Sequence, residues 1–215
     1  MAKLRHFLPL AYLLGATRLE GKPHGGDLFQ KRRAKTVSNR VASPARAVVA
    51  EAQRVLMEVY TPRIARCLSM LSEEDIWWRP NRASNSVGNL VLHLQGNVRQ
   101  WIISGLGGQP DRRERDREFS ETGPIPRRKL RAGLQKTVGE AGEVLASLRE
   151  VDLMRRYSIQ GFSVTGLQAA IHVAEHFAFH AGQIIYVTKL KCGKDLKFTR
   201  LPSPQKALKK IYPPV

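Results

Sequence analysis

The stretch Thr165-Gly-Leu-Gln168-Ala-Ala-Ile171-His172-Val-Ala174-Glu175-His176-Phe177-Ala178-Phe-His180-Ala181-Gly182-Gln183-Ile184-Ile185-Tyr-Val187-Thr-Lys189-Leu-Lys191-Cys-Gly193 reads as one uninterrupted helix. Thr165 and Gln168 have the spacing of a capping box, in which the hydroxyl serves one orphan amide and the amide side chain reaches back to another. Ile171, Ala174, Phe177, Ala178, Ala181, Ile184, Ile185 and Val187 follow in helical register. Lys189 and Lys191 suit the negative end of a helix dipole, and Gly193 suits the position just past it. A helix this long needs neighbours to cover its apolar side.

Working outward, three more helical patterns supply those neighbours. Ser43-Pro44 is a good start, with Ser as cap and Pro tolerated in the first turn. Val48, Ala52, Val55, Leu56, Val59, Ile64, Cys67, Leu68 and Leu71 continue from it at helical spacing. Pro62 breaks one backbone hydrogen bond there, so a kink or a restart capped by Thr61 is expected. Residues 73–84, with Trp77-Trp78-Arg79-Pro80, form a connection. A second helix starts at Ser84 or Ser86, aligns Val87, Leu90, Val91, Leu94, Val98, Trp101 and Ile102, and stops near Gly105. Residues 109–124 alternate in charge sign without an apolar face and read as a solvated loop or surface turn. A third helix is expected from about Pro126 to Glu150 through Leu130, Leu134, Val138, Ala141, Leu145 and Leu148. Tyr157–Val164 is a short extended piece broken at Gly161. Four amphipathic helices without a convincing sheet predict an all-α fold, a four-helix bundle with a short extended segment before the last helix.

Charge is the unusual feature of the composition. The 215 residues hold 36 Lys and Arg against 18 Asp and Glu, a formal net charge of +18. Such a balance suggests nucleic acid or an anionic surface as partner. Its distribution argues otherwise. Residues 1–45 carry +7 and residues 189–215 carry +7, leaving +4 for the 143 residues between. The expected organisation is therefore a basic, flexible extension over 1–45, a helical bundle over 46–200 and a basic tail over 201–215. Neither end carries a helix-turn-helix, a zinc finger or a stacking platform, so no specific nucleic-acid partner is expected. Association through the basic tails stays open as an alternative.

No stretch reaches the 18 or more apolar residues of a membrane span. Phe7-Leu-Pro9-Leu-Ala-Tyr-Leu-Leu14 follows Lys3 and Arg5 in the charge order of a secretory signal. Pro9 interrupts that run, however, and no clean small-x-small cleavage site follows. Cys67 and Cys192 are 125 positions apart and read as reduced, unpaired thiols. A cytoplasmic protein is the expectation.

The chemistry rests on histidines. His6 and His24 lie in the N-terminal extension; His93 lies on the second helix; His172, His176 and His180 are four apart on the fourth. That spacing stacks imidazoles on one helix face about 6 Å apart, which one cation can bridge. A third ligand from a facing helix would complete a three-histidine site with positions open to water or substrate. The bland reading is that His172 covers apolar surface and His176 is a core histidine bonded to a carbonyl. The setting favours metal. Ala181 and Gly182 leave room beside His180, and Gly96, costly by about 1 kcal/mol in mid-helix, lies one turn from His93. Asn97 and Gln183 are placed to orient a ligand imidazole or a bound water.

Ser84-Asn-Ser-Val-Gly-Asn-Leu-Val-Leu-His93-Leu-Gln-Gly96-Asn97 and His172-Val-Ala-Glu-His176-Phe-Ala-Phe-His180-Ala-Gly-Gln183 carry a resemblance, together with Trp77-Trp-Arg-Pro80. Over residues 50–200 the chain resembles the DinB/YfiT-like superfamily of four-helix metal-binding bacterial proteins. The resemblance implies that His93, His176 and His180 hold a divalent ion, commonly zinc or nickel, with His172 lining the pocket. It also implies a homodimer, and a low-molecular-weight thiol or water activated at the site to attack a small-molecule substrate, as in a transferase or a hydrolase. Trp77, Trp78 and Trp101 are candidate pocket walls, Trp101 being equally readable as core. Arg79 is a candidate clamp for a substrate carboxylate. Glu175 points about 100° away from His176 around the helix and is not expected to act as a base. The rival reading is a metal-binding module without turnover.

Overall fold

The computed structural model describes residues 43–198. The rest of the basic N-terminal extension, and the C-terminal tail over 201–215, lie outside the described residues.

The elements follow in the order α1 (Pro44–Arg54), a π-helical turn (Val55–Tyr60), α2 (Thr61–Met70), α3 (Glu73–Trp77), α4 (Val87–Val98), a second π-helical turn (Arg99–Ser104), α5 (Arg115–Ser120), α6 (Arg127–Ser147), α7 (Glu150–Met154), β1 (Arg156–Ile159), β2 (Phe162–Thr165) and α8 (Gly166–Cys192). Four long rods make the bundle: α1 with α2, α4 with its π turn, α6, and α8. The second rod packs on α6 and α8, and the first rod packs on α8 and α6, so the four close a ring around one core. Phe177, Leu56, Ile64, Leu68, Leu94, Ile102, Leu130, Leu134 and Leu145 fill it and are almost wholly buried. Among the described residues the fold is all-α apart from one small hairpin.

Several local expectations are met with a twist of mechanism. Ser43 caps α1 by accepting from the Arg46 amide. The break at Pro62 is absorbed by the π turn, where the Thr61 amide reaches back to the Leu56 carbonyl. The wider turn places Pro62 in the first turn of α2, where its missing N–H costs least. Of the two candidate starts for the second helix, Ser86 is the cap, in a reciprocal box with Asn89. Thr165 and Gln168 form the expected box on α8, and Gly193 ends it at φ 64°.

Two expectations are corrected. The third helix stops at Ser147, not Glu150. Leu148 turns extended and buries its side chain, and the Asp152 carboxylate accepts from the Arg149 amide to start α7 afresh. The stretch 109–124 is not merely solvated: it contains α5 and sends the side chains of Arg113 and Glu118 into the protein, 3% and 10% exposed. The extended piece is an antiparallel hairpin, Arg156 opposite Thr165 and Ile159 opposite Phe162. Its two turn residues, Gln160 and Gly161, both take positive φ, which suits the twist of a two-residue hairpin.

Candidate metal centre

α4 and α8 face each other across the core, and their capping boxes set the phase in which each presents its histidines. His93, on α4, is 5% exposed. His176 and His180, on α8, are half-buried. The three rings converge: centroids lie 4.9 Å apart for His93 and His176, 4.9 Å for His93 and His180, and 4.5 Å for His176 and His180. One ring nitrogen from each lies within 4.8 Å of the others. The Nε2 atoms of His93 and His176 are 2.9 Å apart.

The donor set fits a divalent ion. Donors about 2.0–2.1 Å from a tetrahedral zinc stand roughly 3.3 Å from each other, so small ring movements from the present spacing would accommodate one. Three nitrogens from opposed helices would leave a fourth direction free. Electrostatics supports the same state. Burial, reinforced by the neighbouring His180, His93 and His172 and by Arg113, pushes the His176 imidazole down to about 3. Burial also lowers His180, against the opposing pull of Gln183. Both rings are therefore neutral at pH 7, with lone pairs available to a cation.

The family model described as Protein of unknown function (DUF1572) matches residues 45–205, most of the chain and all three histidines. The chain belongs to this family. No curated protein matches it.

Beyond its three central histidines, this DUF1572 protein arranges the sequence candidates unevenly. Gln183 stands against His180, its Oε1 2.7 Å from Nδ1. Asn97 is buried beneath the same face of α4, and its Oδ1 has no partner among the described residues. His172 is not part of the cluster. It lies over Trp101 at 3.9 Å between centroids and stacks on His176 at 5.6 Å. Burial lowers its pKa too. Trp101 is a core aromatic, 4% exposed. Trp78 lines a cavity of about 340 Å³ with Leu90, Gln183, Tyr186 and Leu190, so Gln183 joins that cavity to His180. Trp77 packs against Gly88 and Gly123 and lines a separate cavity with Trp78, Thr122 and Pro124. Arg79 is already engaged: its guanidinium donates to Asn89 Oδ1 and to the Phe119 carbonyl, each at 2.8 Å. It clamps a loop rather than facing open solvent.

That loop contains what sequence reading missed. Glu118 places Oε2 2.9 Å from His93 Nδ1. Arg113 donates twice to Glu118, from Nε at 2.7 Å and from Nη2 at 2.8 Å. A further Arg113 proton goes to Gln100 Oε1 at 2.9 Å. Phe119 lies against the His93 ring at 4.7 Å. Burial raises the Glu118 pKa, but hydrogen bonds from Arg113 and His93 outweigh it and hold the group ionised, below the usual glutamate value. The available signal was Gly96. A side chain there would collide with the Glu118 carboxylate and crowd Arg113.

Proposed function

We propose that the protein is a DinB-like metal protein, with His93, His176 and His180 holding a divalent ion, zinc or nickel. The convergence of three imidazoles from two facing helices carries this reading. It agrees with the resemblance drawn from the His93 and His176–Gln183 motifs. His93, His176 and His180 would hold the ion, which would supply Lewis-acid chemistry that lowers the pKa of a small thiol or of water and so makes a nucleophile available near neutral pH. The activity that follows is transfer of a low-molecular-weight thiol to an electrophilic small molecule, or its hydrolysis. Gln183 orients His180 and borders the cavity beside Trp78 and Tyr186, the position for the substrate's apolar part. Among the described residues no helix is long and apolar enough to cross a membrane.

Metal content of the purified full-length protein tests the reading. The wild type should carry close to one equivalent, and His176→Ala a small fraction of that. Equal, near-zero content in both would end the proposal. For the catalytic half, metal-loaded protein is incubated with a panel of small thiols and electrophiles. Metal-dependent consumption is expected, and its absence across the panel would leave a binding module without turnover.

A homodimer belongs to the same proposal. Phe179, Tyr186 and Leu190 stand exposed along one face of α8, a face that suits a second copy. Sedimentation should show a dimer for the wild type and a shift toward monomer for Tyr186→Glu with Leu190→Glu. A monomeric wild type would remove this element.

A further inference from the structure

Glu118 and Arg113 form a buried ion pair that touches one side of His93, while His176 and the rest of the cluster lie on the other. Burying two charges is costly unless each is well paired, and a pair of this kind is weak evidence for stability in itself. Its neighbours show how firmly it is held. The Asn89 amide donates to the carbonyls of Glu118 and Glu121 at 2.9 and 2.8 Å, and Arg79 donates to that of Phe119. Asp111 accepts from the Arg113 amide at 3.0 Å and from Gln100 Nε2 at 2.7 Å. The carboxylate thus arrives at His93 on a loop fastened at both ends.

His93 Nδ1 faces two groups of opposite demand. Glu118 Oε2, an acceptor only, stands at 2.9 Å; Arg113 Nη2, a donor only, stands at 3.1 Å. The nearer, charged contact decides. A bare Nδ1 would set its lone pair against the carboxylate, whereas Nδ1–H makes a charge-assisted hydrogen bond to it. With the proton on Nδ1, the Nε2 lone pair points toward His176 and His180. We infer that Glu118, held by Arg113 in the space Gly96 leaves open, is a positioning residue that locks His93 in its Nδ1–H tautomer and aims Nε2 as a ligand. This rests on the metal reading of the three histidines. An imidazole backed by a carboxylate is also more basic at its other nitrogen, which strengthens its hold on a cation.

The test uses full-length wild type, Glu118→Gln, Glu118→Ala and Gly96→Ala. Zinc affinity is measured by competition with a chromogenic chelator, and the ¹⁵N shifts of His93 are recorded on metal-free protein. Losing such an outer partner weakens metal binding by about 10–100-fold. Glu118→Ala is expected at the upper end of that range and Glu118→Gln, which keeps an acceptor oxygen, at the lower. Gly96→Ala leaves every polar group in place and should also weaken binding, by displacing the carboxylate. In the wild type His93 should show Nδ1–H with a bare Nε2; in Glu118→Ala the proton should move to Nε2. The shifts report the tautomer directly, so a merely destabilised variant does not imitate the result. Wild-type affinity in all three variants, or a bare Nδ1 in the wild type, would overturn the inference. If the wild type bound no zinc, the metal reading would fall, and the nitrogen shifts alone would decide the hold of Glu118 on His93.

Discussion

The two helices that supply the candidate ligands do so by different means. On α8, His176 and His180 are placed by helical periodicity, one turn apart, and their neighbours are other histidines and the exposed Gln183. On α4, His93 is alone on its helix, deeply buried, and backed by an ion pair delivered from a loop 20 to 25 residues further along the chain. One half of the site is a repeat written into a single helix; the other half is assembled by tertiary structure. The α8 half gathers groups that burial keeps neutral. The α4 half introduces a full negative charge and neutralises it with Arg113. The difference teaches where the site is vulnerable: charge changes should damage the α4 side most, and protonation the α8 side.

The sharpest way to break this contrast is Arg113→Met. It leaves the Glu118 carboxylate buried against His93 without its guanidinium partner. Removing one member of a buried pair costs about 3–5 kcal/mol. Chemical denaturation should register that loss, with an unchanged slope. Glu118→Gln combined with Arg113→Met should recover part of it, because no buried charge is then left unpaired. A loss below about 1 kcal/mol for Arg113→Met would mean that the loop relaxes into solvent and that the α4 half is not a fastened assembly.

The same contrast explains what could be read from sequence. Four helices, the caps at Ser43 and Thr165, and the convergence of His93 with His176 and His180 follow from spacing, because periodicity and capping act over a few residues. The Arg113–Glu118 pair leaves no such trace. Asp111-Arg-Arg-Glu-Arg-Asp-Arg-Glu118 has the alternating signs of a solvated loop, and nothing local marks which two of its charges turn inward. Gly96 was conspicuous as a helix-interior glycine, yet what fills the space beside it belongs to another element. Arg79 illustrates the same limit: in sequence it reads as a clamp for a substrate carboxylate, and only the folded loop offers it the Phe119 carbonyl. The π turns at Val55–Tyr60 and Arg99–Ser104 were also illegible, since they repair register by small shifts over a single turn.

Acid is the next probe, and it acts on the α8 half. His176 has its folded pKa pushed down to about 3, against an ordinary value of 6.5. The unfolded chain therefore binds a proton that the folded one refuses as pH drops below 6.5. Stability is full above that value and is lost progressively toward pH 3. At pH 5 His176 already contributes a measurable part of that loss. His180 and His172, also lowered by burial, add to it with the same sign. Below about 4.5, protonation of Glu118 contributes further, because its ionised form is the one the fold favours. Unfolding of metal-free protein from pH 7 to pH 5 should show the decline, and His176→Gln should flatten it. A profile unchanged by His176→Gln would mean that this imidazole titrates normally and that the α8 half is open to water.

The smallest expected effect separates the two supporting groups. Gln183 and Glu118 both address a histidine Nδ1, at 2.7 and 2.9 Å, but one is neutral and exposed and the other charged and buried. A neutral hydrogen bond in contact with solvent contributes about 0.5 kcal/mol net, since water replaces the lost partner. Gln183→Leu should thus weaken zinc binding only about two- to threefold in the same chelator competition. No water can reach His93 Nδ1 as easily behind Phe119, so Glu118→Ala has no such substitute. Equal losses for Gln183→Leu and Glu118→Ala would show that hydrogen bonding as such orients the ligands. Unequal losses, in the order given, would trace the difference to charge and burial.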